Sequence, residues 1–345
     1  MSKRNYTPIQ IIGTQRSGSN LLRLMLNELP ELVAPHPPHI LKTFMPLLPQ
    51  YPDSSKKGNF RQLIEDVCQL VETNPVVWEH VILDRDKIFN ACKKNDLIEI
   101  FHVVYELMAE ANHATHWCCK SMTNVKYADE MEAHHIKPFY IHLVRDGRDV
   151  AASFKKVAVG EKHIYHLAKN WHALQKLSAA WTAKIGSGRA ITIRYEDLIH
   201  HPEKTMKKTC EFLCLNYSPK ILKYFNSEES KHTAESGFMW GNLTKPIIKN
   251  NTQKYKQVLS IEEIELFDWL AGDMLKKYGY DVAQKPKEID LNPTVLARFE
   301  LENTRLKNEI MLKDHLKIDL SKRQKQEAYI EMVKQRLIKD NVEYA

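Results

Sequence analysis

The sequence predicts an α/β fold: a central parallel sheet flanked by helices, followed by a long C-terminal helical extension. Three observations predict it. Short apolar runs of strand length alternate with segments of helical period over the first 285 residues, and strands separated by helices pair in parallel with helices on both faces. Three of these runs pass directly into a polar turn and a helix. From residue 286 onward glycine is absent, Pro286 and Pro293 are the only prolines, and mixed charge is dense.

Residues 8–12 (PIQII) form a short apolar run ending at Gly13 and read as a buried strand. Residues 20–29 (NLLRLMLNEL) carry a broad apolar helical face. Residues 30–60 are proline-rich without a clear period, so a long functional loop is expected there. Residues 60–73 and 96–112 read as helices, and residues 115–119 (THWCC) as a second short strand. Residues 139–144 (FYIHLV) are a clear strand, followed by RDGRD and a helix from about residue 150. Residues 163–184 are helical, residues 190–194 (AITIR) are a further strand, and a helix runs through residue 215.

In the tail, Leu296, Phe299, Asn303, Leu306 and Ile310 follow a 3–4 spacing, with Leu320 two heptads after Leu306. Lys313 and Lys317 interrupt the stripe, and Ile330, Val333 and Leu337 resume it out of phase. One long helix or two is expected. Two readings are open: a coiled coil that makes a homodimer with Asn303 at a buried position, or an amphipathic helix packed back on its own domain. The organisation is thus an α/β domain over 1–285 and a helical extension over 286–345.

Composition narrows the class. The 345 residues are 43% hydrophobic, which excludes wholesale disorder. No apolar run approaches the roughly 20 residues of a membrane span, and the first residues show no signal-peptide core, so a cytoplasmic location is expected. Six cysteines without a C-x-x-C pair fit a reducing compartment. Sixteen histidines come without Cys/His ligand spacing, so no metal is expected. Lys and Arg total 50 against 43 Asp and Glu. Residues 286–345 hold 12 against 11, so the excess lies in the first 285 residues. The charges form no basic stripe, which argues against a nucleic-acid partner.

The first chemical motif is the turn GTQRSGSN over residues 13–20. A glycine-containing strand-to-helix turn aims free backbone N–H groups and the positive end of the helix dipole at one anion. Gly13 and Gly18 match the frame of a P-loop, but Ser19 stands where the lysine belongs and Asn20 where the magnesium-binding hydroxyl belongs. A kinase needs both groups. The loop therefore reads as a phosphate site without a metal-bound triphosphate. Arg16 adds a fixed charge, and Ser17 and Ser19 add hydroxyls. The second motif, RDGRDVAASF over residues 145–154, follows a strand about 130 residues later. Arg145 at the strand's carboxyl end and Ser153 in the helix can meet on one phosphate. Arg148 and Asp149 read as structural.

RSGSNLL over residues 16–22 resembles the 5′-phosphosulfate loop of sulfotransferases in its bacterial form. The donor of that family is 3′-phosphoadenosine 5′-phosphosulfate (PAPS). Arg145, with a serine eight residues later at Ser153, is similar to the family's 3′-phosphate element. IRYEDLIHHP over residues 193–202 resembles a third segment, which implies an adenine contact for Tyr195. Lys249, Lys254 and Lys256 lie where members supply further basic contacts, with Lys254 taken as the representative. The resemblance covers roughly residues 8–282. It implies a P-loop-like three-layer fold and in-line sulfuryl transfer from PAPS to an acceptor hydroxyl or amine. Arg16 and the N–H groups of Ser17, Gly18, Ser19, Asn20 and Leu21 would then stabilise charge on the leaving phosphate.

The general base is less direct. The family's K-[TS]-H segment reads Lys120, Ser121, Met122 here, so its histidine is missing. Lys120 stays a candidate for stabilising the transferring group. His36 and His39 fall in the window where other branches place a glutamate, inside the proline-rich loop, and a neutral imidazole suits the role. Two rivals stand beside this reading: a P-loop-type small-molecule kinase, and a donor-binding but non-catalytic scaffold assembled through the C-terminal helix.

Overall fold

The computed structural model describes residues 6–282 and 289–343. Five strands, β1 (Thr7–Gly13), β2 (Leu32–Val33), β3 (His116–Cys119), β4 (Phe139–Val144) and β5 (Ala190–Arg194), form one sheet in the order β2-β3-β1-β4-β5. Every pairing is parallel. The helices before the third strand are α1 (Ser19–Asn27), α2 (Ile40–Phe44), α3 (Lys57–Glu72), α4 (Arg85–Ala91) and α5 (Leu97–Ala111). Then come α6 (Ala128–Ala133), α7 (Gly147–Phe154), α8 (Ile164–Ile185), α9 (Tyr195–His200) and α10 (Pro202–Phe212). The last six are α11 (Glu228–Glu235), α12 (Tyr255–Val258), α13 (Ile261–Lys277), α14 (Pro293–Met311), α15 (Asp314–Ser321) and α16 (Gln324–Glu343).

Period-two alternation along the strands sorts side chains to two faces. Ile9, Ile11, Ile141 and Leu143 share a core with Leu22, Met25 and Leu26 of α1 and Leu198 of α9. Ile12, Trp117, Cys119 and Tyr140 face the other way, among Phe60 and Leu63 of α3 and Phe101 and Val104 of α5. Helices therefore cover both faces. Leu22, Leu24, Met25 and Leu26 are fully buried, and each contributes about 1.5–3 kcal/mol of apolar transfer.

The expected loop over 30–60 is instead structured: it holds β2, α2, a 3₁₀ helix at Met45–Gln50 and the start of α3. These pieces are too short to show a period, which is why proline dominated the reading. The tail forms three helices rather than one or two. The joints lie at residues 312–313 and 322–323; of the two lysines that interrupt the stripe, Lys313 falls at the first joint and Lys317 within α15.

Of the two readings of the tail, packing on its own chain is the one adopted. Asn303 is buried, but its Oδ1 accepts from the backbone N–H of Lys162 (2.9 Å) and His163 (3.0 Å) at the start of α8. The homodimeric coiled coil expected to use this asparagine finds it occupied within the chain. Val333 and Leu337 are buried against the α3 side of the core. Asp66, fully buried on α3, accepts from Tyr329 (3.0 Å) and Arg336 (3.0 Å to Oδ1) of α16, and from Tyr51 (2.6 Å). Among the described residues no helix is long and apolar enough to cross a membrane.

Candidate active site

Parallel strands all end at the same edge, and β1 has β3 on one side and β4 on the other. The chain turns toward β2 and β3 after β1 and crosses to the other side for β4. The carboxyl ends of β1 and β4 therefore flank the crevice where open α/β sheets bind ligands. Gly13 pairs in register with Leu143, so the two motifs, far apart in sequence, leave the sheet side by side.

The first loop is built for close approach. Gly13 has φ +124°, and a Cβ there would lie 2.5 Å from the Leu143 carbonyl. Met122, in the position of the missing histidine, packs beneath it. Gly18 is the N-cap of α1 with φ +84°, and a Cβ there would lie 2.3 Å from the Tyr195 ring. No side chain caps this helix and its first turn holds no acid, so the N–H groups of Ser19, Asn20 and Leu21 are open to an anion. Ser17 and Thr14 share a hydroxyl bond of 2.9 Å, and Gln175 donates to Thr14.

Arg16 sits at φ +67°, an uncommon conformation for a branched-free but bulky side chain. It sends its Nε–H to the Ser153 hydroxyl at 3.0 Å, which joins the two motifs directly. Arg145 donates to the carbonyls of Arg16 and Asn251, both at 3.0 Å, and stacks on the Tyr195 ring at 4.5 Å. Asn251 donates to the Tyr195 hydroxyl at 2.7 Å. Among the described residues the buried Arg145 Nε has no hydrogen-bond partner. An unpaired buried guanidinium N–H is costly unless an anion meets it. Burial, then the charges of Arg145 and Arg323, lower the Arg16 pKa to about 10.

Arg148 and Asp149 are engaged within the fold. Arg148 bonds Asp146 and Asp268, while Asp149 accepts from the N–H of Gln253 and Tyr255. Those last bonds tie the loop carrying Lys254 to α7. Lys254 itself is exposed. Asn20 turns its side-chain oxygen to Arg23 (3.3 Å) rather than into the crevice.

A second group lies beside the carboxyl end of β3. Lys120 is buried, and burial followed by the charges of Arg23 and Arg16 lowers its pKa to about 7. His36 is 4% exposed, and neither ring nitrogen has a hydrogen-bond partner among the described residues. Its backbone carbonyl is held by Trp78 (2.7 Å) and Asn74 (3.3 Å), and its ring meets Trp240 edge-on at 4.9 Å. Burial, then Lys120, Arg23, His39 and Arg323, hold it well below the usual histidine range. His39, at φ +63°, places Nδ1 3.0 Å from the Ser121 hydroxyl. Its pKa is also well below the usual range, through burial and then Lys120, Lys42 and Arg323.

Sequence reasoning missed Arg23, Trp240, Asn251 and Arg323. Arg23 was findable: it is a lone cation on an apolar helix, and it is fully buried, bonded to the Ala34 carbonyl, Glu229 and Thr233. The other three come from distant segments with no local signature. Among the described residues no three His, Cys, Asp or Glu side chains converge as a metal site.

The fold and this crevice define a parallel α/β protein with a cationic cleft at the carboxyl ends of its central strands. The chain belongs to the sulfotransferase family, whose model matches residues 8–219. It is 23% identical over 286 residues to protein-tyrosine sulfotransferase A of Caenorhabditis elegans, covering 81% of this chain and 68% of that protein. It is 27% identical over 121 residues to carbohydrate sulfotransferase 2 of Mus musculus, 33% of this chain and 21% of that protein. The sulfotransferase domain of the Curacin biosynthetic pathway shares the fold with a TM-score of 0.56 at 20% identity, covering 81% of this chain and 100% of that one. The corresponding domain of the Synechococcus PCC 7002 olefin synthase gives 0.54 at 19%, covering 82% and 98%.

Proposed function

We propose that this sulfotransferase uses PAPS and moves its sulfuryl group in line to an acceptor hydroxyl or amine. One observation carries the reading: Arg16 and Ser153 meet at 3.0 Å while the neighbouring Arg145 keeps a buried Nε–H unpaired. Donors from both motifs thus border one crevice, an arrangement suited to holding an anion. When bound, PAPS supplies an electrophilic sulfur and a phosphate leaving group. Arg16 and the N–H groups of Ser17 to Leu21 hold the charge that develops on that phosphate. Arg145 and Ser153 hold the 3′-phosphate, with Lys254 at its margin, and Tyr195 borders the adenine.

Lys120 holds the oxygens of the transferring group. His36 takes the proton from the acceptor, because both its ring nitrogens are free, whereas His39 is already engaged with Ser121. Burial among cations keeps His36 neutral and able to accept a proton. An anionic donor beside it offsets those cations and raises its proton affinity. The relatives named for protein tyrosine and for carbohydrate both support a hydroxyl acceptor. Residues 1–285 are the catalytic unit and 286–345 a helical appendage in this reading.

The test is direct binding of adenosine 3′,5′-bisphosphate against ATP with magnesium, followed by transfer from labelled PAPS to a panel of hydroxyl compounds. Tight binding of the bisphosphate and weak binding of ATP is expected. The reverse order would establish the kinase rival instead.

A further inference from the structure

Arg323 lies at the joint between α15 and α16, outside the part of the chain that the family model matches. Its guanidinium carbon stands 5.3 Å from the centre of the Trp240 ring, and that ring in turn meets His36 at 4.9 Å. The joint is anchored on both sides. On the α16 side Gln326 donates to the Leu70 carbonyl at 2.9 Å. On the α15 side Asp319 is 2% exposed and accepts from the Phe238 N–H at 2.6 Å, Leu316 is fully buried, and Lys322 donates to the Glu235 carbonyl. The tail is therefore held against the segment carrying Trp240, and Arg323, half-buried, lies over the ring that also meets His36.

Among the described residues the Arg323 guanidinium makes no ion pair or hydrogen bond, although Asp319 and Glu327 are on its own segment. Its charge bears on Arg16, His36, His39, Lys42 and Lys120. A water-poor site holding this many cations and few acids is unfavourable until anions fill it. The donor motifs already engage Arg16, Arg145 and Ser153 with one another. The ring contact of Arg323 leads instead to His36, the group that would face the acceptor.

We propose that Arg323 is a specificity residue supplied by the C-terminal helices, and that it binds an anionic group, a carboxylate or a sulfate or phosphate ester, on the acceptor beside the hydroxyl that is sulfated. This rests on the proposed sulfuryl transfer. The planar fork of arginine suits such oxygens better than a lysine ammonium does.

Two matched pairs test it: para-hydroxyphenylacetate against its amide, and glucuronate against glucose, each assayed for transfer from PAPS with the full-length wild type, Arg323→Ala and Arg323→Lys. Adenosine bisphosphate binding is measured on the same samples. The wild type is expected to prefer the anionic member of at least one pair by roughly tenfold or more, the scale of one charged hydrogen bond. Arg323→Ala lowers that preference about tenfold through KM rather than kcat, and Arg323→Lys recovers part of it. The pair that shows the effect separates a phenolic from a sugar acceptor. A wild type that binds adenosine bisphosphate but shows no preference, or takes neither member of either pair, overturns the proposal and leaves donor binding standing. An unchanged preference in Arg323→Ala overturns it as well. Failure of the wild type to bind adenosine bisphosphate removes the transfer reading and this inference with it.

Discussion

Replacing Arg145 by alanine is the most informative single perturbation of the donor site. The guanidinium has five N–H groups. One is spent on the Arg16 carbonyl and one on the Asn251 carbonyl, while Nε is buried with nothing to bond. If that group serves an anion, Arg145→Ala removes at least one charge-assisted bond, worth about 1.5–3 kcal/mol. Adenosine 3′,5′-bisphosphate binding then weakens roughly 10- to 150-fold. Stability moves by a different route. The two carbonyl bonds contribute about 1 kcal/mol each. Losing Arg145 also relieves the repulsion that helps depress the Arg16 pKa. The net fall in Tm is roughly 1–3 °C, small enough for the variant to be assayed folded. Arg145→Lys keeps the charge without the fork and should bind between wild type and alanine. Calorimetric titration with the bisphosphate, beside a thermal melt, reads both effects. Binding within twofold of wild type by a folded Arg145→Ala would refute the reasoning, because the unpaired N–H would then have no anion to serve.

Other expectations concern the remaining parts of the site and the tail. His36→Ala should lower kcat by roughly 10²–10⁴ with bisphosphate binding intact, while His39→Ala falls far less; the opposite ranking would transfer the base role to His39. Lys120, with a pKa of about 7 in the free protein, should be driven back toward its protonated form by an anion. Bisphosphate binding at pH 7.5 should therefore take up protons, seen as a dependence of the calorimetric heat on buffer ionisation, and Lys120→Met should reduce that uptake. The same group binds fewer protons folded than unfolded between pH 7 and its ordinary range, so it costs stability that is regained as pH rises through that interval. Lys120→Met should accordingly raise Tm at pH 7 by roughly 2 °C or more, and the gain should shrink toward pH 10. Arg336→Leu leaves the buried Asp66 without its cation. A loss of about 3–5 kcal/mol in urea unfolding is expected, with protease cleavage appearing first near α16.

Much of the fold was legible because its signals are local. The strands β1, β3, β4 and β5 are apolar runs, and each motif is a strand, a turn and a helix start contained in about a dozen residues. The pieces between residues 30 and 60 were not legible: a two-residue strand and a five-residue helix are too short to show a period, and they exist because tertiary contacts hold them. In the tail, the apolar stripe was visible but its occupant was not. Asn303 has the same spacing whether it meets a second copy or the N–H groups that open α8.

The sequence by itself determined the alternating α/β order, both anion motifs, the loss of the P-loop lysine and the missing K-[TS]-H histidine, since each depends on residue types at short spacing. Tertiary structure alone decided which side chains share the crevice. The parallel register of β1 with β4 brings Arg16 to Ser153 across 137 residues of chain, and the docked tail brings Arg323 to Trp240. Burial then changed what these groups are: in water His36 and Lys120 are an ordinary imidazole and ammonium, but stripped of solvent and set among arginines both lose proton affinity. That change is a property of position in space, and no reading along the chain contains it.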